Sequence, residues 1–127
     1  IRFQHCDPAG IVFYPRYFEL INSVVEDWFE EVVQHDFNKL HVESGTGVPT
    51  AAIDTQFHAP SWLGELLTFE LLVQSLGRSS LTLQISAYCG DQKRLTSCST
   101  LVFMDLNSGK SMPWTEAIRQ RITVDNL

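Results

Sequence analysis

No run of apolar residues in this 127-residue chain reaches the eighteen or so that a membrane-spanning helix requires, and no signal-peptide pattern opens it. Cysteine is equally scarce. The three present, Cys6, Cys89 and Cys98, cannot all pair within one chain. Their spacing matches neither a disulfide framework nor a zinc knuckle, so free thiols in a reducing cytoplasm are expected and no metal site is. Basic residues are also few: nine Lys and Arg stand against fifteen Asp and Glu, for a formal charge of −6. That balance argues against nonspecific binding to nucleic acid or to an anionic membrane. Repeats, low-complexity tracts and linkers are missing too, so residues 1–127 are expected to form a single domain.

What remains is an ordinary globular composition, 44% hydrophobic with eight Phe and three Trp, in a chain long enough to bury a core without staples. From Pro15 to about Val33, Tyr17, Leu20 with Ile21, Val24 with Val25, Trp28 and Val32 recur at helical spacing, and Glu19, Glu26, Asp27, Glu30 and Glu31 form a solvated face. Pro15 suits the first turn, where its missing N–H costs nothing. After a loop through Glu43 to Gly47 the period becomes two. Ala51, Ile53, Thr55 and Phe57 alternate with Asp54, Gln56 and His58, the pattern of a half-buried strand. Further strands are expected around Leu67–Gln74, Leu81–Cys89 and Leu95–Asp105, with turns at Gly77-Arg78 and Gly90-Asp91-Gln92. The short connections predict an antiparallel meander. The segment Thr115–Arg121 predicts a short helix capped by Thr115.

The chemistry is concentrated near the start. Cys6-Asp7-Pro8-Ala9-Gly10-Ile11-Val12 places a carboxylate in a turn just ahead of Tyr14-Pro15, where the long helix begins. A helix N-terminus carries unpaired N–H groups and about half a positive charge, so it can hold a developing oxyanion while a nearby carboxylate attacks or directs water. Taken alone, Asp7 reads more readily as a turn residue, because Asp hydrogen-bonds its own backbone. Adjacent His5 and Cys6 point to opposite faces of an extended segment, which argues against a thiol–imidazole pair. His35, His41 and His58 receive no role. Glu19 is an alternative carboxylate, although its place on the acidic face favours solvation.

The run His5 to Tyr17, followed by one long helix and four long strands, resembles the hotdog-fold acyl-CoA thioesterases, and within them the 4-hydroxybenzoyl-CoA thioesterase subfamily. Pro60 with Gly64-Glu65, and Arg78-Ser79-Ser80 before the third long strand, agree with it. The resemblance implies an α+β hotdog fold, one long central helix wrapped by a curved antiparallel sheet. It implies hydrolysis of an acyl-CoA to free acid and CoA, with Asp7 as nucleophile or general base and the Tyr14 backbone N–H as oxyanion donor. Phe13, Val48 and Thr50 would lie near the acyl group, and Arg78, Ser79 and Ser80 near the CoA phosphates; Tyr17, read from the helix stripe as core, is also placed by its position near the helix start to line the site. In the 4-hydroxybenzoyl enzyme a helix aspartate reads the substrate phenol. The matching residue here is Asn22, which leaves a polar or aryl acyl group without naming it. A thiolate leaving group has a conjugate-acid pKa near 8.5 and departs with little help, so this small set of groups suits a thioester. No separate cofactor is implied, since CoA belongs to the substrate. The resemblance further implies a homodimer or homotetramer, with sites at the subunit interface. Two rival readings are a hotdog 3-hydroxyacyl thioester dehydratase or hydratase, which needs a histidine base such as His5, and a noncatalytic acyl-thioester-binding dimer.

Overall fold

The computed structural model describes residues 1–34 and 45–125. A 3₁₀ turn, Phe3–His5, precedes helix α1, Tyr14–Trp28, which continues as a π turn over Phe29–Val33. Strands β1 (Thr46–Gly47), β2 (Thr50–Phe57), β3 (Thr68–Leu76), β4 (Ser80–Cys89), β5 (Gln92–Val102) and β6 (Met104–Asp105) follow, and helix α2 (Glu116–Asp125) closes the described chain. His35, His41, Glu43 and Ser44 lie outside the described residues. Among the described residues no helix is long and apolar enough to cross a membrane.

The long helix runs where its periodicity places it, with Pro15 in the first turn. Its buried stripe is Tyr17, Ile21, Val25, Phe29 and Val33; Leu20, Val24, Trp28 and Val32, expected in the core, are half-buried. Steps of four residues drift by about 40° each around an ideal helix. The wider π turn between Phe29 and Val33 takes part of that drift back, which returns both side chains to the core. They meet Leu83, Ile85 and Leu95 in one buried cluster, each of these fully inaccessible. Helix α2 closes the far end of this core with Ile118 and Ile122, each 1% exposed. Thr115 caps it as expected, its Oγ1 accepting the Ile118 N–H at 3.3 Å.

The main sheet has the order β2-β5-β4-β3, all antiparallel. Strands β3, β4 and β5 form a meander, but β2 pairs with β5 and not with its neighbour in sequence. The connection from His58 to Leu67 contains Pro60 and Gly64 and is long enough to cross the end of the sheet. Strand β2 is thereby an edge, and it corrects the expectation of a half-buried strand: Ile53 is 44% and Phe57 46% exposed. No other segment of the described chain covers that margin. The last predicted strand divides into β5 and the short β6, which pairs with β1.

Candidate active site

Asp7 sits in a small hairpin that feeds directly into α1. Its N–H donates to the Ile11 carbonyl at 2.9 Å, Cys6 bridges Val12, and the Phe13 N–H donates to the His5 carbonyl at 2.9 Å. The tip is Pro8-Ala9-Gly10, with Gly10 at φ +82°, a left-handed conformation that a side chain penalises. One oxygen of the half-buried Asp7 carboxylate, Oδ1, accepts the Ala9 N–H at 2.9 Å. This is the turn role expected of Asp, and Oδ2 has no partner among the described residues. The bland and the chemical readings of Asp7 are thus compatible.

At the helix start, Pro15 has no N–H and the Arg16 N–H turns back to the Phe13 carbonyl at 2.8 Å. The Tyr14 N–H has no acceptor among the described residues. The residue count between Asp7 and Tyr14 therefore places a carboxylate and an unpaired helix-end donor on consecutive parts of one hydrogen-bonded entry. His5 does not complete an acid–base pair there: its Nδ1 accepts the Arg2 N–H at 2.9 Å. Burial, together with the nearby Arg2 and Arg16 charges, lowers its pKa. Glu19 is 64% exposed and bridges Arg16 at 2.7 Å, as expected of a solvated face.

The hairpin is clamped from beneath by residues that the sequence did not single out for it. The Val12 N–H donates to Ser61 O at 2.9 Å and the Leu63 N–H to Gly10 O at 2.9 Å. Segment 60–65 is in turn gripped by Arg94, which is 6% exposed. Its Nη1 donates to Pro60 O at 2.8 Å and to the Ser61 hydroxyl at 3.2 Å, and the guanidinium meets Glu65 through two bonds of 2.7 and 2.9 Å. Glu65 Oε1 also accepts the Trp62 N–H at 2.6 Å. These contacts, the Arg94 hydrogen bonds above all, lower the Glu65 pKa from 4.5 to about 2. Arg94 and Glu65 lie 29 positions apart, a separation with no periodicity to reveal it; the adjacency of Pro60, Gly64 and Glu65 was the one available signal.

Among the described residues, two hollows flank the helix along the exposed β2 margin. The larger, about 550 Å³, brings together the expected Asn22, Val48 and Thr50 with Phe18, Ile53 and Leu101. The second, about 370 Å³, lies at the helix start between Val12, Tyr14, Tyr17, Phe57, His58 and Pro60. Phe13 lines neither and stands beside the Tyr14 ring at 5.7 Å. Arg78, Ser79 and Ser80 occupy the β3–β4 turn, where their carbonyls accept from Trp114 and Phe103. This turn is not near Asp7 in the same chain. Ala87 pairs with Leu95 at the Asp7 end of the sheet and Ser80 with Val102 at the other, so the intervening residues of β4 span roughly 23 Å at about 3.3 Å each.

A family model described as the thioesterase-like superfamily matches residues 1–122. The chain is 28% identical over 81 residues to the 4-hydroxybenzoyl-CoA thioesterase of Pseudomonas sp. (strain CBS-3), a match covering 63% of this chain and 57% of that protein. Among solved structures it resembles a Staphylococcus aureus protein determined in complex with CoA, at a TM-score of 0.91 and 14% identity, over 99% of this chain and 79% of that one. It also resembles a 1,4-dihydroxy-2-naphthoyl-CoA thioesterase from Synechocystis, at a TM-score of 0.86 and 17% identity, over 97% and 90% of the two chains. At these identities the structural likenesses speak for the shared hotdog architecture, in agreement with the helix and antiparallel sheet described above.

Proposed function

The chain belongs to the thioesterase-like superfamily, and from that premise we propose that it hydrolyses an acyl-CoA thioester to the free acid and CoA. The observation that carries the reading is the Asp7 hairpin, whose hydrogen bonds end at a helix start with an unpaired Tyr14 N–H. In this reading the thioester oxygen lies at the Tyr14 N–H, where the helix dipole favours the charge of the tetrahedral intermediate. Asp7 acts through Oδ2, as nucleophile or as the base that directs water. Water is the second substrate, and no separate cofactor enters the reaction.

We assign the cavity of Asn22, Val48 and Thr50 to the acyl group, and Arg78, Ser79 and Ser80 to the CoA phosphates. The roughly 23 Å along β4 sets these groups at the far end of the sheet from Asp7 of their own chain. A twofold partner, docked along the exposed β2 margin, would bring its opposite end to that Asp7. The reading therefore includes a homodimer or homotetramer, and edge pairing would also cover Ile53 and Phe57. The aromatic acyl-CoA named for the Pseudomonas relative supports an aryl or polar acyl group, while Asn22 supplies an uncharged amide where that enzyme's subfamily has a carboxylate.

The dehydratase reading has less support, since one ring nitrogen of His5 is taken up by the Arg2 N–H. A hydrolysis screen of saturated, aromatic and 3-hydroxyacyl-CoAs tests the proposal. Release of CoA from saturated or aromatic esters is the expected result; release from none of them contradicts it.

A further inference from the structure

Tyr17 is buried to 4% exposure and lines the hollow at the helix start, yet its hydroxyl has no hydrogen-bond partner among the described residues. The hydroxyl oxygen is not sealed from solvent, the one sealed and unpartnered side-chain atom among the described residues being Arg94 Nε, so it is open to a partner that enters the hollow. Of the hollow's other polar groups, His58 Nε2 is bonded to Thr96 Oγ1 at 2.9 Å, and Tyr14 is 61% exposed. Packing alone explains the ring, which lies 5.3 Å from that of Phe57, but not the hydroxyl. The Arg94 guanidinium is within electrostatic reach of Tyr17, and its Nε is a buried donor without a partner. The hollow itself is walled by Val12, Phe57, Ala59 and Pro60 beside the two tyrosines and His58. Its volume of about 370 Å³ falls within the range of roughly 300–1,000 Å³ usual for small-molecule sites.

We infer that this hollow receives the part of the acyl group next to the thioester carbonyl, and that the Tyr17 hydroxyl hydrogen-bonds a hydroxyl carried there, such as one ortho to the carboxyl carbon of an aryl ring. The inference rests on the proposed placement of the carbonyl at the Tyr14 N–H. Tyr17 stands one turn further along α1, a rise of roughly 4.5 Å, and helix side chains lean back toward the N-terminus. A substituent close to the carbonyl thus meets the Tyr17 phenol, whereas one on the far side of a ring does not. Tyr17 is then a specificity residue, separate from the Asn22 cavity.

The test compares 2-hydroxybenzoyl-CoA, 4-hydroxybenzoyl-CoA and benzoyl-CoA in the wild type and in Tyr17→Phe, which keeps the ring. The expected result is a kcat/KM lower by roughly three- to tenfold for the 2-hydroxy ester alone, the effect of one uncharged hydrogen bond. Equal losses for all three esters, or no loss for any, overturn the inference. The same esters titrated calorimetrically into Asp7→Asn and into Asp7→Asn/Tyr17→Phe read the contact without turnover. A Tyr17-dependent preference in Kd supports the hollow even if hydrolysis fails, and its absence counts against the hollow even if hydrolysis succeeds.

Discussion

Glu65 and Arg94 form a two-bonded ion pair, 2.7 Å from Oε1 to Nη1 and 2.9 Å from Oε2 to Nη2, directly beneath the hairpin that carries Asp7. The pair joins three parts of the chain: strand β5, the crossing connection before β3, and through Ser61 and Val12 the entry to α1. Its geometry therefore bears on stability and on the site at once.

Replacing Arg94 with Met leaves Glu65 without its counter-ion and Pro60 O and Ser61 without their donor. Removal of one member of such a pair is strongly destabilising. We expect the thermal midpoint to fall by roughly 5–10 °C, and kcat to fall more than KM rises, because the hairpin loses its support. Differential scanning calorimetry and steady-state kinetics on the same preparation check both parts.

The Glu65 carboxyl titrates at about 2 in the folded chain against an ordinary 4.5. Its folded pKa is depressed, so its contribution to stability is fully present above the ordinary value and is lost as pH falls through the folded one. Wild type and Glu65→Gln should accordingly differ in urea midpoint by a constant amount above about pH 5, and the gap should close as pH falls toward about 2. A gap independent of pH across that window would remove Glu65 as its source.

Gly10 at φ +82° has nothing within 4 Å of where a Cβ would stand, so any cost of Gly10→Ala comes from the backbone. That cost is about 1–2 kcal/mol for a left-handed residue, read by chemical denaturation. Because the strain falls on the turn that sets Asp7, hydrolysis at saturating substrate should drop at temperatures where the variant remains folded.

Much of this architecture was legible in the residues. The period of α1, its Pro15 start, the Thr115 cap and the three hairpin-linked strands follow from local chemistry, and local chemistry survives folding. The placement of β2 against β5 does not, because strand order depends on which edge a crossing connection reaches. The exposure of Ile53 and Phe57 belongs to the same relationship: alternation marks a face to be buried without saying what buries it. At the site, the short spacing from Asp7 to Tyr14 was readable, as it lies within one hairpin and one helix start. The Arg94 clamp was not, since it joins residues distant in sequence, and the separation of Arg78 from Asp7 emerges only from the sheet register.

That separation gives a prediction about assembly. If Arg78 of one copy serves Asp7 of another, the protein in solution has at least twice the chain mass, and Arg78→Glu raises KM for acyl-CoA more than it lowers kcat. Light scattering and steady-state kinetics read the two consequences. A strictly monomeric, fully active protein contradicts both.

The most direct test of the account is the turnover of Asp7→Asn against an acyl-CoA that the wild type hydrolyses, with CoA release followed by a thiol reagent. The amide can still accept the Ala9 N–H and keep the turn, but it cannot attack or accept the proton of water. The expected kcat is lower by at least roughly two orders of magnitude, the scale of a lost general base, with the thermal midpoint nearly unchanged. Turnover equal to that of the wild type would contradict it.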